Sequence, residues 1–414
     1  MVKPGYKQTE IGLIPEKWEC FLLGERVKIF RGGSPRPIEA YITSSADGVN
    51  WIKIGDVKEG DKYITSTQEK ILQSGASKSR AVHVGDFILS NSMSFGRPYI
   101  LAVDGCIHDG WLTIQNYDNC FIKEFLYYLL SSEKIYNQYI AMAAGSSVKN
   151  LNKEKVPSVV VVCPANTEQQ LIANALSDID ELIFSLEKLI AKKKAVKQGA
   201  MQDLLTGKKR LPGFSGEIEY MPIKSLCTVF EDGDWIESDD QSPDGIRLIQ
   251  TGNIGNGRFI EKADKQRFIS TDTFQRLNCL EIFEGDVLVS RLPEPAGRAC
   301  ILPHSSKRRI TAVDCTVIRF CKYNPILFVG YTQTKEYFHQ VELAMSGSTR
   351  QRISRKALGE ITIPVFSQEE QDIIANILFS MDNEIESLEK KLAKYRNIKQ
   401  GMMQQLLTGQ IRLV

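Results

Sequence analysis

The chain has little net charge, no paired cysteines and no long apolar run, and each of these lacks excludes a class of protein. Lys and Arg number 52 against 50 Asp and Glu, a formal net charge of +2. The overall balance therefore draws the molecule neither to nucleic acid nor to a membrane, and any DNA contact has to come from cations gathered on one face or from other subunits. The nine cysteines (20, 106, 120, 163, 227, 279, 300, 315 and 321) include no C-x-x-C pair, and the four histidines (83, 108, 304 and 339) form no ligand cluster. Structural zinc, other bound metal and a disulfide framework are not expected. Free thiols buried among apolar neighbours are, as in Val162-Cys163 and Ala299-Cys300-Ile301. No apolar run reaches the ~18 residues of a membrane helix, and the opening MVKPGYKQTEIGLIPEKW lacks the apolar core of a signal peptide. A cytoplasmic protein with no membrane partner is the expectation.

Catalytic motifs are missing as well. There is no Walker loop, and Gly252-Asn253-Ile254-Gly255-Asn256-Gly257 has the wrong glycine spacing for a dinucleotide fingerprint. Asn324-Pro325-Ile326-Leu327 lacks the second proline and the aromatic that grip a flipped base, and reads instead as a helix N-cap. Glu389-Lys390-Lys391 has nuclease-like spacing but lies on the polar face of a helical pattern. No Ser/His/Asp constellation stands out, so no catalytic residue is nominated. Hydrophobic content of 43% and charged content of 25% are ordinary for folded globular domains.

What the sequence does contain is a long duplication. Glu168–Leu211 lies over Glu370–Leu413 without a gap, and 25 of the 44 positions are identical. In both copies apolar residues fall at a 4-3-4-3-4 spacing: Ile172, Leu176, Ile179, Ile183, Leu186 and Ile190 in the first, Ile374, Leu378, Met381, Ile385, Leu388 and Leu392 in the second. That is the core of a coiled-coil seam. Each copy predicts a helix of roughly 57 Å at 1.5 Å per residue, which Gly199 and Gly401 could kink and Gly207 and Gly409 should cap. Asn166 or Thr167 marks the first start, and Ser367 with Glu370 forms a capping-box pattern at the second. The short connection from Leu205 to Met221 favours antiparallel pairing of the two helices, with a pseudo-twofold relation between the halves.

The sequence ahead of each copy has diverged, yet a scaffold repeats. Trp51–Asp56 answers Leu248–Asn253, and Val84–Ser90 answers Glu284–Ser290; both read as strand-and-turn segments in which Gly makes the turn and Asp bonds backbone. Further strands are expected at Tyr99–Val103 and Ala299–Leu302, helical stretches at Lys123–Ala143 and Pro325–Met345, and closing strands at Val159–Val162 and Ile361–Ile363. The fold class is therefore α/β (α+β): two mixed α/β globular units, 1–166 and 212–366, separated by antiparallel coiled-coil helices at 167–211 and 367–414. Arg, Lys, Asn and Ser recur on loops at corresponding places, and these side chains supply donors to phosphates and base edges. The candidate DNA-binding residues are Arg31, Arg36, Lys53, Arg97 and Lys149 in the first unit and Arg291, Arg298, Arg308, Arg350 and Arg352 in the second.

Gly5-Tyr6-Lys7-Gln8-Thr9-Glu10-Ile11-Gly12-Leu13-Ile14-Pro15 with Trp18, the twice-used E-Q…I-A-N…L…D followed by K-Q-G-x-M-Q-x-L-L-T-G, Gly233–Ser238 and Gly245–Gln250 give the chain its resemblance, over essentially its whole length, to the specificity subunit of type I restriction-modification enzymes. The resemblance implies two target-recognition domains, each reading one half of a bipartite site in double-stranded DNA, with the helices as a ruler between them. It implies two modification subunits, which carry S-adenosylmethionine and the adenine-methylating site, docked on the repeated segments around Gln198, Gly199, Leu204, Leu205, Gln400, Gly401, Leu406 and Leu407. It further implies two restriction subunits working with ATP and Mg, and no cofactor in this chain. A self-sufficient DNA methyltransferase or nuclease and a protein-only coiled-coil scaffold stand beside this reading as alternatives.

Overall fold

The computed structural model describes residues 4–58, 60–91, 95–143, 151–345 and 352–413. The chain forms two compact units, Met1–Leu186 with Lys391–Val414 (unit 1) and Glu187–Lys390 (unit 2). The division cuts through the middle of both long helices, so each unit holds part of each repeat. All nine cysteines are free. Among the described residues no helix is long and apolar enough to cross a membrane, and no group of His, Cys, Asp or Glu could hold a metal ion.

Besides two-stranded pairs, each unit contains two sheets of four or five strands, and their strand orders correspond. In unit 1 the first sheet runs Lys28–Arg31, Trp111–Gln115, Phe87–Ser90, Pro98–Leu101, Tyr63–Ile64; the second runs Ile42–Thr43, Glu69–Ile71, Val49–Ile52, Gly105–Ile107, Arg80–Val82. In unit 2 the first runs Cys227–Asp232, Cys315–Phe320, Val287–Ser290, Ala299–Ile301, and the second Gln241–Ser242, Arg267–Ile269, Ile246–Ile249, Arg309–Thr311, Glu281–Ile282. Apart from the short edge strand Tyr63–Ile64 the topology of these sheets is duplicated, well beyond the segment where identity is visible.

The central strand of each first sheet is apolar on both faces because each face meets a core. Phe87 and Leu89 enter the core that also holds Ile172 and Leu176, while Ile88 enters a second core with Ile52 and Trp111. Val287 and Val289 join Ile374 and Leu378 in unit 2, and Leu288 points into a separate cluster with Ile249 and Cys315. The period-two alternation of a strand makes this division automatic. The turns ahead of these strands form as the sequence indicates: Gly85 and Gly285 have φ of 91° and 87°, and the Oδ2 atoms of Asp86 and Asp286 accept from His83 N and Phe283 N, each at 2.8 Å.

The expected helical stretches are each broken in two: Lys123–Leu130 and Glu133–Ala143 in unit 1, Pro325–Tyr331 and Lys335–Ala344 in unit 2. Ser132 and Thr334 cause the break, because their hydroxyls accept the N–H groups of Ile135 and Tyr337 and start a new helix. Asn324 is an N-cap, its Oδ1 accepting from Ile326 N at 2.9 Å with Pro325 in the first turn. Asn324→Ala should lower the stability of unit 2 by about 1 kcal/mol in urea unfolding, the usual worth of such a cap.

The long helices span Asn166–Leu204 and Gln368–Leu406. They run unbroken through Gly199 and Gly401, where a break was open on propensity, and they end with Gly207 and Gly409 at φ of 72° and 69°. Within each unit they are antiparallel. In unit 1 Asp180 pairs with Lys399 at 2.6 Å and Glu168 with Arg412 at 2.7 Å; in unit 2 Lys193 pairs with Glu384 at 2.6 Å and Arg210 with Glu370 at 2.7 Å. The heptad positions are all at least half-buried: Ile172, Leu176, Leu186, Ile190, Ile374, Leu378 and Ile385 are buried, and Ile179, Ile183, Met381, Leu388 and Leu392 half-buried. The first turns of each helix belong to a globular core rather than to a free coil, with Ile172 and Leu176 in unit 1 and Ile374 and Leu378 in unit 2.

Candidate nucleic-acid interface

The Arg31–Arg36 loop of unit 1 leaves its strand through Gly32, whose N–H donates to Trp111 O at 2.8 Å and whose Cβ, if present, would lie 2.2 Å from His108 O. Only glycine permits that approach. Asp109 organises the turn: Ser34 Oγ donates to Oδ1 at 2.8 Å, His108 Nε2 lies 2.9 Å away, and Arg31 Nε donates to the Asp109 carbonyl at 3.0 Å. Burial raises the Asp109 pKa, but Ser34, His108 and Arg31 outweigh it and hold the carboxyl below its ordinary value. Arg31 and Arg36 are exposed.

Two cations that the sequence does not single out join this loop. Ser79 Oγ donates to Gly33 O at 2.6 Å, which brings the Lys78-Ser79-Arg80 turn alongside. Lys78 lies 5.0 Å from the Tyr41 ring and Arg80 4.8 Å from the Phe30 ring, so each cation is held over an aromatic face. The sequence signal, a basic pair around a serine, is too short to distinguish from any solvated turn. Elsewhere in unit 1 Lys53 is ion-paired with Glu69 at 2.5 Å, and Arg97 is exposed at the edge of the strand Pro98–Leu101. Lys149 lies outside the described residues.

Unit 2 builds the same loop with opposite charge. Gly233 N donates to Cys315 O at 2.9 Å, and a Cβ there would lie 2.2 Å from Thr311 O, as at Gly32. Around it, however, stand Glu231, Asp232, Asp234, Trp235 and Glu237. Beside the second sheet of unit 2 stand two exposed cations, Lys307 5.2 Å from the Phe268 ring and Arg308 4.6 Å from the Phe274 ring. Arg308 is also held by Glu281, through two hydrogen bonds of 2.8 Å. Arg352 is exposed, and Arg350 lies outside the described residues.

Two expected DNA contacts are corrected. Arg291 is only 7% exposed; it pairs with Asp232 at 3.1 Å and donates to Val313 O at 2.7 Å and Ile353 O at 3.4 Å. Arg298 gives four hydrogen bonds to carbonyls, to Ile254 at 2.7 Å and to Leu292, Pro295 and Thr251 at 2.9 Å each. Both guanidinium groups brace their loops: Arg291 is enclosed, with its Nε buried and unpartnered among the described residues, and Arg298 spends four of its five N–H donors on carbonyls. Their positions in Gly- and Pro-rich loops looked exposed because the sequence does not show the carbonyls turned inward.

The family model for the type I restriction modification DNA specificity domain matches the chain twice, over residues 15–198 and 216–395. The chain belongs to that family. It is 22% identical over 417 residues, 97% of this chain and 94% of the relative, to the type I restriction enzyme MjaVIII specificity subunit of Methanocaldococcus jannaschii. Among solved structures it resembles a chain described under the structural basis of complex assembly and conformational transition of the type I R-M system, with TM-score 0.64, 18% identity and coverage of 96% of this chain and 99% of that one. It also resembles the type I restriction-modification system S subunit from M. genitalium, with TM-score 0.55, 15% identity and coverage of 94% and 96%. In this specificity chain the two mixed α/β units are thus DNA target-recognition domains, and each repeated segment is a long helix that follows one of them in sequence.

The segments expected to meet partner subunits divide by burial. Leu205, Leu406 and Leu407 are 1%, 5% and 3% exposed, and Leu204 packs partly buried against the unit 2 core. Leu205, Leu406 and Leu407 anchor the helix ends in their own units, and Leu204 stays partly exposed. Gln198, Gly199 and Gln400 are exposed and Gly401 half-exposed, and a Cβ on either glycine would meet nothing within 4 Å. The open surface is therefore the K-Q-G segment of each helix rather than its terminal leucines.

Proposed function

We propose that this chain is the non-catalytic DNA-reading subunit of a type I restriction-modification enzyme, recognising a bipartite site with one domain per half. The observation that carries the reading is the duplicated loop of opposite charge: Arg31–Arg36 and Asp232–Glu237 leave equivalent strands through equivalent glycines, yet present different surfaces. A fixed frame with diverged surfaces is what two readers of two different sequences require. Arg31, Arg36, Lys78, Arg80, Arg97 and Lys149 in unit 1, and Lys307, Arg350 and Arg352 in unit 2, are the cations assigned to DNA, with Lys53 and Arg308 weaker contacts because Glu69 and Glu281 already hold them. Each correctly read base pair is worth about 1–3 kcal/mol, so two short half-sites at fixed spacing multiply selectivity.

Two modification subunits, which would bring S-adenosylmethionine and the adenine-methylating site, are assigned to the open surfaces at Gln198–Gly199 and Gln400–Gly401. Two restriction subunits using ATP and Mg would complete the enzyme. Methylome sequencing of cells expressing this chain with its modification subunit tests the whole reading. The expected result is one new bipartite motif with adenine methylated on opposite strands in its two halves; a continuous motif, or none, would sink it.

A further inference from the structure

One place in the frame is filled in unit 1 and open in unit 2. The correspondence is fixed by two buried glutamines: Gln169 Oε1 accepts from Ile122 N and Gln371 Oε1 from Asn324 N, both at 2.8 Å and both displaced by 202 positions. In unit 1 the Tyr128 hydroxyl donates to Asp180 Oδ2 at 2.8 Å and lies 3.2 Å from Ser177 Oγ. Lys399 pairs with the same Asp180 and sits 5.9 Å from the Tyr128 ring; Lys62 covers the Tyr127 and Tyr128 rings at 4.9 and 5.0 Å. A phenol ring is thus clamped between an aspartate, a lysine and the helix pair.

Unit 2 keeps the clamp and lacks the ring. Lys197 and Asp382, the counterparts of Lys399 and Asp180, are again paired. Gly330 and Val329 stand where Tyr128 and Tyr127 stand in unit 1. The result is a cavity of about 240 Å³ lined by Lys197, Met201, Val329, Gly330, Leu378 and Asp382 among others, none of them a tyrosine. Its walls are mostly apolar, with Phe379 standing where unit 1 has Ser177, and the Asp382 side chain, paired with Lys197 and 55% exposed, supplies the acceptor. A buried phenol needs that combination, because its hydroxyl must find a partner while its ring is desolvated.

We propose that this cavity binds a para-hydroxyphenyl ring, supplied in trans by a tyrosine of the docked modification subunit. The ring chemistry stands on the internal comparison alone, whereas its assignment to that subunit rests on the docking surface proposed at Gln198–Gly199. Gln198 Nε2 donates at 3.2 Å to the carbonyl of Gln333, which lines the cavity, so a chain seated on Gln198 lies next to it.

The free probe is p-cresol, with toluene as the ring without a hydroxyl, titrated against the full chain by saturation-transfer NMR. The wild type should bind p-cresol saturably and at least about fivefold more tightly than toluene, since a hydrogen bond to a charged acceptor is among the stronger ones. Asp382→Ala should abolish that preference, and Gly330→Tyr should abolish binding of both. A Cβ at Gly330 would approach Leu205 Cδ1 at 2.7 Å, so Asp382→Ala and the wild-type preference carry the test if Gly330→Tyr fails to fold. No saturable p-cresol binding, or equal binding of p-cresol and toluene, would overturn the site. In a second arm, saturating p-cresol and Asp382→Ala should each weaken assembly with purified modification subunit at least about fivefold. If the wild type assembles and neither affects it, the tyrosine assignment is wrong; if the wild type does not assemble at all, the docking surface is what has failed.

Discussion

Arg412→Ala should destabilise unit 1 by about 3 kcal/mol, the lower part of the range for stripping one partner from a buried ion pair. Glu168 is 2% exposed and receives a bidentate fork from Arg412, at 2.8 and 2.7 Å, with Trp18 Nε1 donating a third bond at 2.9 Å. Charge-assisted bidentate bonds of this kind are the strong ones. Without Arg412 the carboxylate keeps only the indole and stays out of water. Urea unfolding followed by tryptophan fluorescence reads the effect, since Trp18 touches the carboxylate directly. Arg26→Ala is the control: its pair with Glu19, at 3.4 Å with both side chains more than half exposed, should contribute less than about 0.5 kcal/mol. Equal midpoints for the two variants would refute the buried-clamp account.

The pH dependence of the same site has a definite sign. Burial pushes the Glu168 pKa up, but Arg412 and Trp18 more than offset it, and the net shift is downward. A carboxyl with a depressed folded pKa contributes stability above its ordinary range and loses it as pH falls through the folded value. The acid limb of wild-type stability should therefore flatten in Arg412→Ala. Unit 2 repeats the clamp with the repeats exchanged: there Glu370 of the second repeat takes the fork of Arg210 from the first, at 2.9 and 2.7 Å.

That exchange shows which parts of the molecule could be read from the sequence. Helix period, turn glycines and capping residues are local, so the long helices, the Gly-Asp turns at 85–86 and 285–286 and the Asn324 cap follow from neighbours in the chain. The role of Glu370 does not. As a capping-box residue it should reach back to Ser367 N; Ser367 Oγ does accept from Glu370 N at 3.3 Å, but the carboxylate goes to Arg210, a stronger partner 160 positions away. Arg291 was illegible for the same reason, because Asp232, Val313 and Ile353 lie far along the chain, and so were the Ile254 and Thr251 carbonyls that complete the hold on Arg298. Charge and glycine neighbours mark a loop; they do not say whether its arginine points out or in.

The sharpest separation of the two kinds of arginine is expected from Arg291→Ala beside Arg31→Ala. Removing Arg291 takes the nearest cation from Asp232 and Asp314, leaving Asp232 with Thr316 Oγ1 at 2.8 Å and Arg355 at 3.9 Å, and frees Val313 O and Ile353 O in a buried place, so unit 2 should lose about 3 kcal/mol. Thermal unfolding should show the loss before any DNA is added, and recognition by that unit should fail with it. Arg31 is half exposed, and its loop keeps the Ser34 and His108 contacts to Asp109 without it, so Arg31→Ala should leave the melting temperature unchanged. If Arg31 neutralises a phosphate, the slope of log affinity against log salt for the reconstituted complex should flatten by about 0.9. An unchanged salt slope would remove Arg31 from the interface, and a melting temperature unmoved by Arg291→Ala would mean that this guanidinium is not the internal brace of its loop.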